Sequence, residues 1–137
     1  MGTRSPLSVW SKLALSLEVL GGYVKARRLL RSEGIREVLA ALRSGGRARP
    51  GPGGDPVVAG RRLGRAVTRT LAWIPGDSRC LTQSLVLTRL LAVRGIDSTM
   101  VIGVSPGERF AAHAWVELGG AALLPAGGDE FDELVRL

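Results

Sequence analysis

The hydrophobic pattern of this chain changes period once, after Gly95, and that change limits the fold more than any other feature. Before it, apolar residues recur at the three- and four-residue spacing of helices. After it, they fall into short β-prone runs separated by turn residues. Trp10, Leu13, Ala14, Leu17, Leu20 and Val24 form a helical stripe within residues 7–31. Gly21-Gly22 weakens the middle of that helix and marks a place for a bend. Residues 33–43 make a shorter amphipathic helix. Gly45 to Pro56 then holds five Gly and three Pro, the composition of a loop or linker. Helical period returns over 57–74, with Leu63, Ala66, Val67, Thr70 and Ile74 on one side and Arg61, Arg65 and Arg69 on another. Pro75-Gly76 stops this helix, and Asp77-Ser78 offers N-caps to the next. That helix, 79–94, carries Leu81, Leu85, Leu87, Leu90 and Leu91 and closes on Arg94-Gly95, a basic last turn with a glycine C-cap.

Past Gly95 the run 98–104 is β-prone and Ser105-Pro106-Gly107 is a turn. Phe110 to Leu118 makes a second strand, Gly119-Gly120 a hairpin turn, and Ala121 to Leu124 a third strand. An acidic stretch from Asp129 to Glu133 leads into a short closing segment. Helices first and a meander after predict an α+β fold: a helical N-terminal half, then a Cys-bearing helix packed on a small antiparallel sheet. Residues 1–56 form the N-terminal helical region and 57–137 the core region, within one compact domain overall. A chain of 137 residues buries roughly two-thirds of its unfolded surface.

Charge is unevenly placed. Residues 1–71 hold 14 Lys and Arg against 4 Asp and Glu, whereas residues 72–137 hold 5 against 8. Seventeen of the 19 basic residues are Arg. Such a half could meet nucleic acid, an acidic peptide or a membrane surface; the plainer reading is an Arg bias from gene base composition, since Ala and Gly are also abundant. The stripe Arg61, Arg65 and Arg69 reads either as a solvated face or as a dock for an acidic partner or leader peptide. No stretch supplies the ~20 apolar residues of a membrane span. Leu13 to Tyr23 is interrupted by Glu18 and makes a poor signal sequence.

The chain contains one Cys and one His, Cys80 and His113. A single Cys excludes an internal disulfide, and the pair is too few for a structural zinc site. A free thiol without a signal sequence fits the cytoplasm. Cys80 falls in the first turn of its predicted helix, where orphan N–H groups and the helix dipole favour negative charge. A thiol so placed is biased toward the nucleophilic thiolate, and the same N–H groups suit an oxyanion. His113 shares one strand face with Trp115 and Glu117, and small Ala112 and Ala114 leave room beside the ring. Cys at a helix start followed by His on a later strand is the order of papain-like cysteine hydrolases.

The run from Cys80-Leu81-Thr82-Gln83-Ser84-Leu85 to Arg94-Gly95, then Val101-Ile102-Gly103-Val104, then Ala112-His113-Ala114-Trp115-Val116-Glu117, resembles the lasso-peptide leader peptidases. These are small transglutaminase-like cysteine proteases of bacterial biosynthetic clusters. The resemblance covers about residues 75–125 and implies that 57–137 is a transglutaminase-like, papain-like peptidase core. It implies a cysteine peptidase that cuts the leader from a ribosomally made lasso precursor, with Cys80 as nucleophile and His113 as proton shuttle. The short length resembles the split form, in which a separate leader-binding protein recognises the leader and an ATP-dependent lasso cyclase takes the product. No cofactor, metal or nucleic-acid partner is implied. Trp115 and Glu117 are then candidate substrate contacts, and Arg61, Arg65 and Arg69 candidate leader or partner contacts.

One position departs from the family. The family's third residue is an Asp about twelve residues beyond the His, and here that position is Pro125. A two-residue turn at Gly119-Gly120 sets Ala126 opposite His113, also without an acid. Asp129 is the candidate third member if the chain curls back. Glu117 is the alternative, although two positions along a strand is roughly 7 Å. A dyad with a backbone or amide group orienting the imidazole remains open. Two other readings stand beside the leader peptidase: another papain- or transglutaminase-like acyl-transfer enzyme, and a basic helical adaptor for acidic peptide or nucleic acid in which Cys80 and His113 are structural.

Overall fold

The structure, a computed structural model, describes residues 6–44, 48–51, 53–74, 79–105, 111–125 and 132–137. Among them, helices α1 (Pro6–Leu30), α2 (Ile35–Ser44), α3 (Pro56–Leu71) and α4 (Arg79–Ala92) precede strands β1 (Thr99–Ser105), β2 (Ala111–Leu118), β3 (Ala121–Ala122) and β4 (Asp132–Arg136). The α+β expectation holds, with helices first and an antiparallel sheet after. The stop at Pro75-Gly76, the caps at Asp77-Ser78, the turn at Pro106-Gly107 and Asp129 lie outside the described residues.

Helix α4 is the hub. It packs against α1, α2, α3 and β2. Its burial therefore runs beyond the expected leucine stripe: Leu85, Leu87, Leu90 and Leu91 are buried, and so are Val86, Thr82, Ser84 and Thr88. A helix covered on all sides needs no polar face. Its end matches the sequence reading: Gly95 takes φ +75°, and the Ile96 N–H donates to the Leu91 carbonyl at 2.9 Å, the arrangement of a glycine-capped C-terminus.

Helix α1 departs from expectation in two ways. It runs unbroken through Gly21-Gly22. The stripe that periodicity marks as its inner face is instead turned outward: Trp10 is 68% exposed, Leu13 51% and Leu17 68%. The buried side is Val19, Gly22 and Ala26. Small residues let α1 approach α4 closely, and a Cβ on Gly22 would meet Val86 Cγ1 at 3.4 Å. Glu18 adds a second reason for this rotation. Its carboxylate pairs with Arg94 at 2.8 Å, just past α4, and with Arg49 at 3.1 Å in the Gly/Pro-rich loop.

Helix α3 starts at a built cap: the Asp55 side chain accepts from the Val57 N–H at 2.9 Å, with Pro56 in the first turn. Its deepest line is Gly60, Gly64, Val67 and Leu71, so two glycines replace the expected apolar side chains over the first half. The reason lies opposite. A Cβ on Gly60 would come within 2.7 Å of Leu123 Cδ1, and one on Gly64 would run into the Leu123 carbonyl oxygen.

The strand order is β3-β2-β1-β4, with β1–β2, β2–β3 and β1–β4 all antiparallel. The turn at Gly119-Gly120 has φ +57° and +84°, the backbone a tight two-residue hairpin requires. The register follows: Glu117 opposes Ala122 and Leu118 opposes Ala121, and the Leu123 N–H continues the ladder to the Val116 carbonyl at 2.8 Å. The closing segment is a strand in its own right, β4, pairing β1 across a register shift at Ile102/Gly103. Its outward Asp132, Glu133 and Leu134 give no apolar alternation, which is why its sequence reads as a tail. Strand β2 is thereby enclosed between β1 and β3.

Candidate active site

Cys80 is the second residue of α4, a half-buried free thiol in the turn whose N–H groups have no partner within the helix. With Leu81 it packs against the cluster that contains Leu85, Met100 and Ala114. Helix α4 and strand β2 are in direct contact, so the helix that begins at the thiol and the strand that holds the imidazole adjoin.

His113 opposes Gly103 on β1, a cross-strand neighbour without a side chain. Its imidazole stacks on Trp115, centroids 5.7 Å apart and planes 25° from parallel. Its Nε2 lies 2.7 Å from the carbonyl oxygen of Pro125. A carbonyl only accepts, so Nε2 carries the proton, and in the neutral ring the lone pair is on Nδ1. The main chain at Pro125 thus offers the ring an acceptor, as an acidic side chain would. Position 125 is the position at which the family's Asp was expected.

Trp115 and Glu117 meet each other. The Trp115 indole N–H donates to Glu117 Oε2 at 2.9 Å, and Arg136 of β4 donates to Glu117 Oε1 at 2.7 Å. The indole hydrogen bond first, then the Arg136 guanidinium, hold the Glu117 carboxyl below its ordinary value of 4.5. Both carboxylate oxygens are engaged in this network, and Arg136 reaches on to Glu133.

The three stripe arginines separate in role. Arg61 Nε donates to the Ala122 carbonyl of β3 at 3.3 Å. Arg65 and Arg69, with Thr68, wall a groove of about 350 Å³ whose remaining lining is Gly64, Leu123, Leu124 and Pro125. Sequence reasoning did not name Gly64, Arg136 or the groove. The Gly60/Gly64 pair at helical spacing was the available signal for the close approach.

No solved structure matches the chain. The microcin J25-processing protein McjB of Escherichia coli is 48% identical over 46 residues, covering 34% of this chain and 22% of that protein. The aligned stretch is thus less than a quarter of the relative. A family profile matches far more, residues 20–136, which run from the middle of α1 to the end of β4 and include the thiol at the start of α4 and the imidazole on β2: the chain belongs to the transglutaminase-like superfamily.

Proposed function

We propose that the protein is a cysteine peptidase that removes the leader from a ribosomally made lasso precursor peptide. The observation that carries the proposal is the Nε2–Pro125 carbonyl hydrogen bond at 2.7 Å. It gives His113 the tautomer a thiol-activating base needs, on a strand packed against the helix that carries Cys80. The likeness to a microcin-processing protein supports the substrate class.

In this reading Nδ1 of His113 takes the Cys80 thiol proton, and the thiolate attacks the carbonyl at the leader–core junction. N–H groups of the first turn of α4 face the developing oxyanion. The imidazolium then protonates the leaving amine as the C–N bond breaks, which frees the core with its α-amino group and leaves the leader as a thioester on Cys80. Water, deprotonated by His113, hydrolyses the thioester and restores the thiol. Trp115, stacked on the imidazole, and Glu117, two residues further along the strand, are the substrate contacts in this reading. The partners are the precursor, a separate leader-binding protein and the ATP-dependent lasso cyclase that receives the core, in the cytoplasm. Among the described residues no helix is long and apolar enough to cross a membrane.

The test is to incubate the protein with the precursor encoded beside its gene, with and without the leader-binding protein, and to follow product masses. Two products that together exceed the precursor by one water are expected, and Cys80→Ala and His113→Ala should abolish them. Cleavage surviving Cys80→Ala overturns the mechanism. Asp129→Asn is expected to leave kcat/KM within about threefold, since the carbonyl already orients the ring; a loss of the ~10²-fold or more typical of a general acid–base contribution would instead make Asp129 the third member.

A further inference from the structure

We infer that the groove between α3 and the segment after β3 binds an acidic stretch of the peptide substrate, carboxylates on Arg65 and Arg69 and apolar side chains on Leu123 and Leu124. The inference rests on the peptidase reading and adds the substrate's side of the site. Three observations lead to it. First, Pro125 lines the groove and its carbonyl oxygen lies 2.7 Å from His113 Nε2, so a peptide in the groove touches the residue that anchors the imidazole. Second, Arg65 and Arg69 are exposed and one helical turn apart, and among the described residues neither is part of an ion pair. Third, the floor is apolar: Leu123 and Leu124, 5% and 6% exposed, line the groove, and its volume of about 350 Å³ falls within the range of specific binding sites.

The same features select among anions. A nucleic acid held by two arginines gains further from aromatic faces on which bases stack, and none of the described residues lining this groove is aromatic. A peptide with alternating acidic and aliphatic side chains uses both walls and floor. The ordinary role of such arginines is to keep a surface soluble; their convergence with a leucine floor on the residue that anchors His113 is what sets these two apart from the chain's other arginines.

Binding is read by fluorescence anisotropy with the Cys80→Ala protein, so that no turnover intervenes. The probes are a fluorescein-labelled peptide of alternating Glu and Leu, its Gln and Lys counterparts, and a labelled single-stranded oligonucleotide of equal charge. The Glu peptide is expected to bind on the order of tenfold more tightly than the Gln peptide, from two partly exposed charge pairs. Arg65→Glu with Arg69→Glu should reverse the preference toward the Lys peptide, and Arg65→Gln with Arg69→Gln should erase it. As the chain has one histidine, its imidazole NMR signal should move on adding the Glu peptide and stay in place in the Gln double variant. Equal binding of Glu and Gln peptides, a preference that survives the double variants, an unmoved His113 signal, or tighter binding of the oligonucleotide each overturns the inference. Binding that behaves as expected while the wild type fails to cut any precursor would remove the peptidase reading and leave the groove standing; cutting without the Glu preference would do the reverse.

Discussion

Glu117 is tied to Trp115 on one oxygen and to Arg136 on the other, and that arrangement has a pH signature. Its carboxyl is held below 4.5 by the indole hydrogen bond and then by the guanidinium. The folded state thus keeps the ionised form longer than the unfolded chain does. The stabilisation is complete above the unfolded value and is lost as pH falls through the lower folded one. Glu117→Gln should therefore cost stability at neutral pH, and the gap to wild type should close below pH 4.5. Urea midpoints followed into the acid range check this; a gap that stays constant with pH would refute it. The residue scale also shows what a sequence can and cannot reveal about a site. Cys80 and His113 can be singled out in the sequence because each is the sole residue of its type, and their places on a helix start and a strand were readable from local pattern. The partner of His113 was not, because a carbonyl oxygen is present at every position and carries no side-chain signal. Glu117 and Trp115 were rightly placed on one strand face, but Arg136, which binds the other Glu117 oxygen, reaches it only through the pairing of β4 with β1.

Among the elements, α3 connects packing to chemistry. Gly64 lies against the Leu123 main chain, two residues before the carbonyl that holds His113. Gly64→Ala should cost roughly 1–3 kcal/mol by overpacking and, by shifting residues 123–125, lower kcat more than KM. Gly21→Ala is the matched control. Nothing lies within 4 Å of a Cβ there, and in mid-helix it should gain about 0.5–1 kcal/mol with activity unchanged. Thermal melts and turnover of the two variants decide; equal behaviour would dissociate the α3 contact from the site. Element order, the Gly95 cap and the Gly119-Gly120 hairpin were readable because each rests on local backbone chemistry. The inward face of α1 was not. Its apolar residues are spread around the helix, so periodicity finds a stripe without telling which side meets α4; that choice is made by Gly22 against Val86 and by Glu18 against Arg94, both contacts distant in sequence.

For the molecule as a whole, the consequence is an outer surface that is apolar along α1. Trp10, Leu13, Leu17, Leu20 and Val24 are all exposed. Folding does not depend on it. Leu13→Gln with Leu17→Gln should change stability by no more than about 0.5 kcal/mol, whereas Leu90→Ala, at a position with no exposed surface, should cost about 2–5 kcal/mol. Chemical denaturation of the two variants checks the contrast, and a large loss in the α1 variant would mean that the stripe is core after all.

The His113–Pro125 bond has a further consequence for how this protein can vary. An orienting group supplied by the peptide backbone is not erased by exchanging one amino acid for another; every residue at 125 brings a C=O. A scan that truncates side chains one at a time would pass over this position and score the site as a simple pair. Only chemistry that weakens the acceptor itself, such as an ester in place of the amide between Pro125 and Ala126, would expose its share in holding the ring.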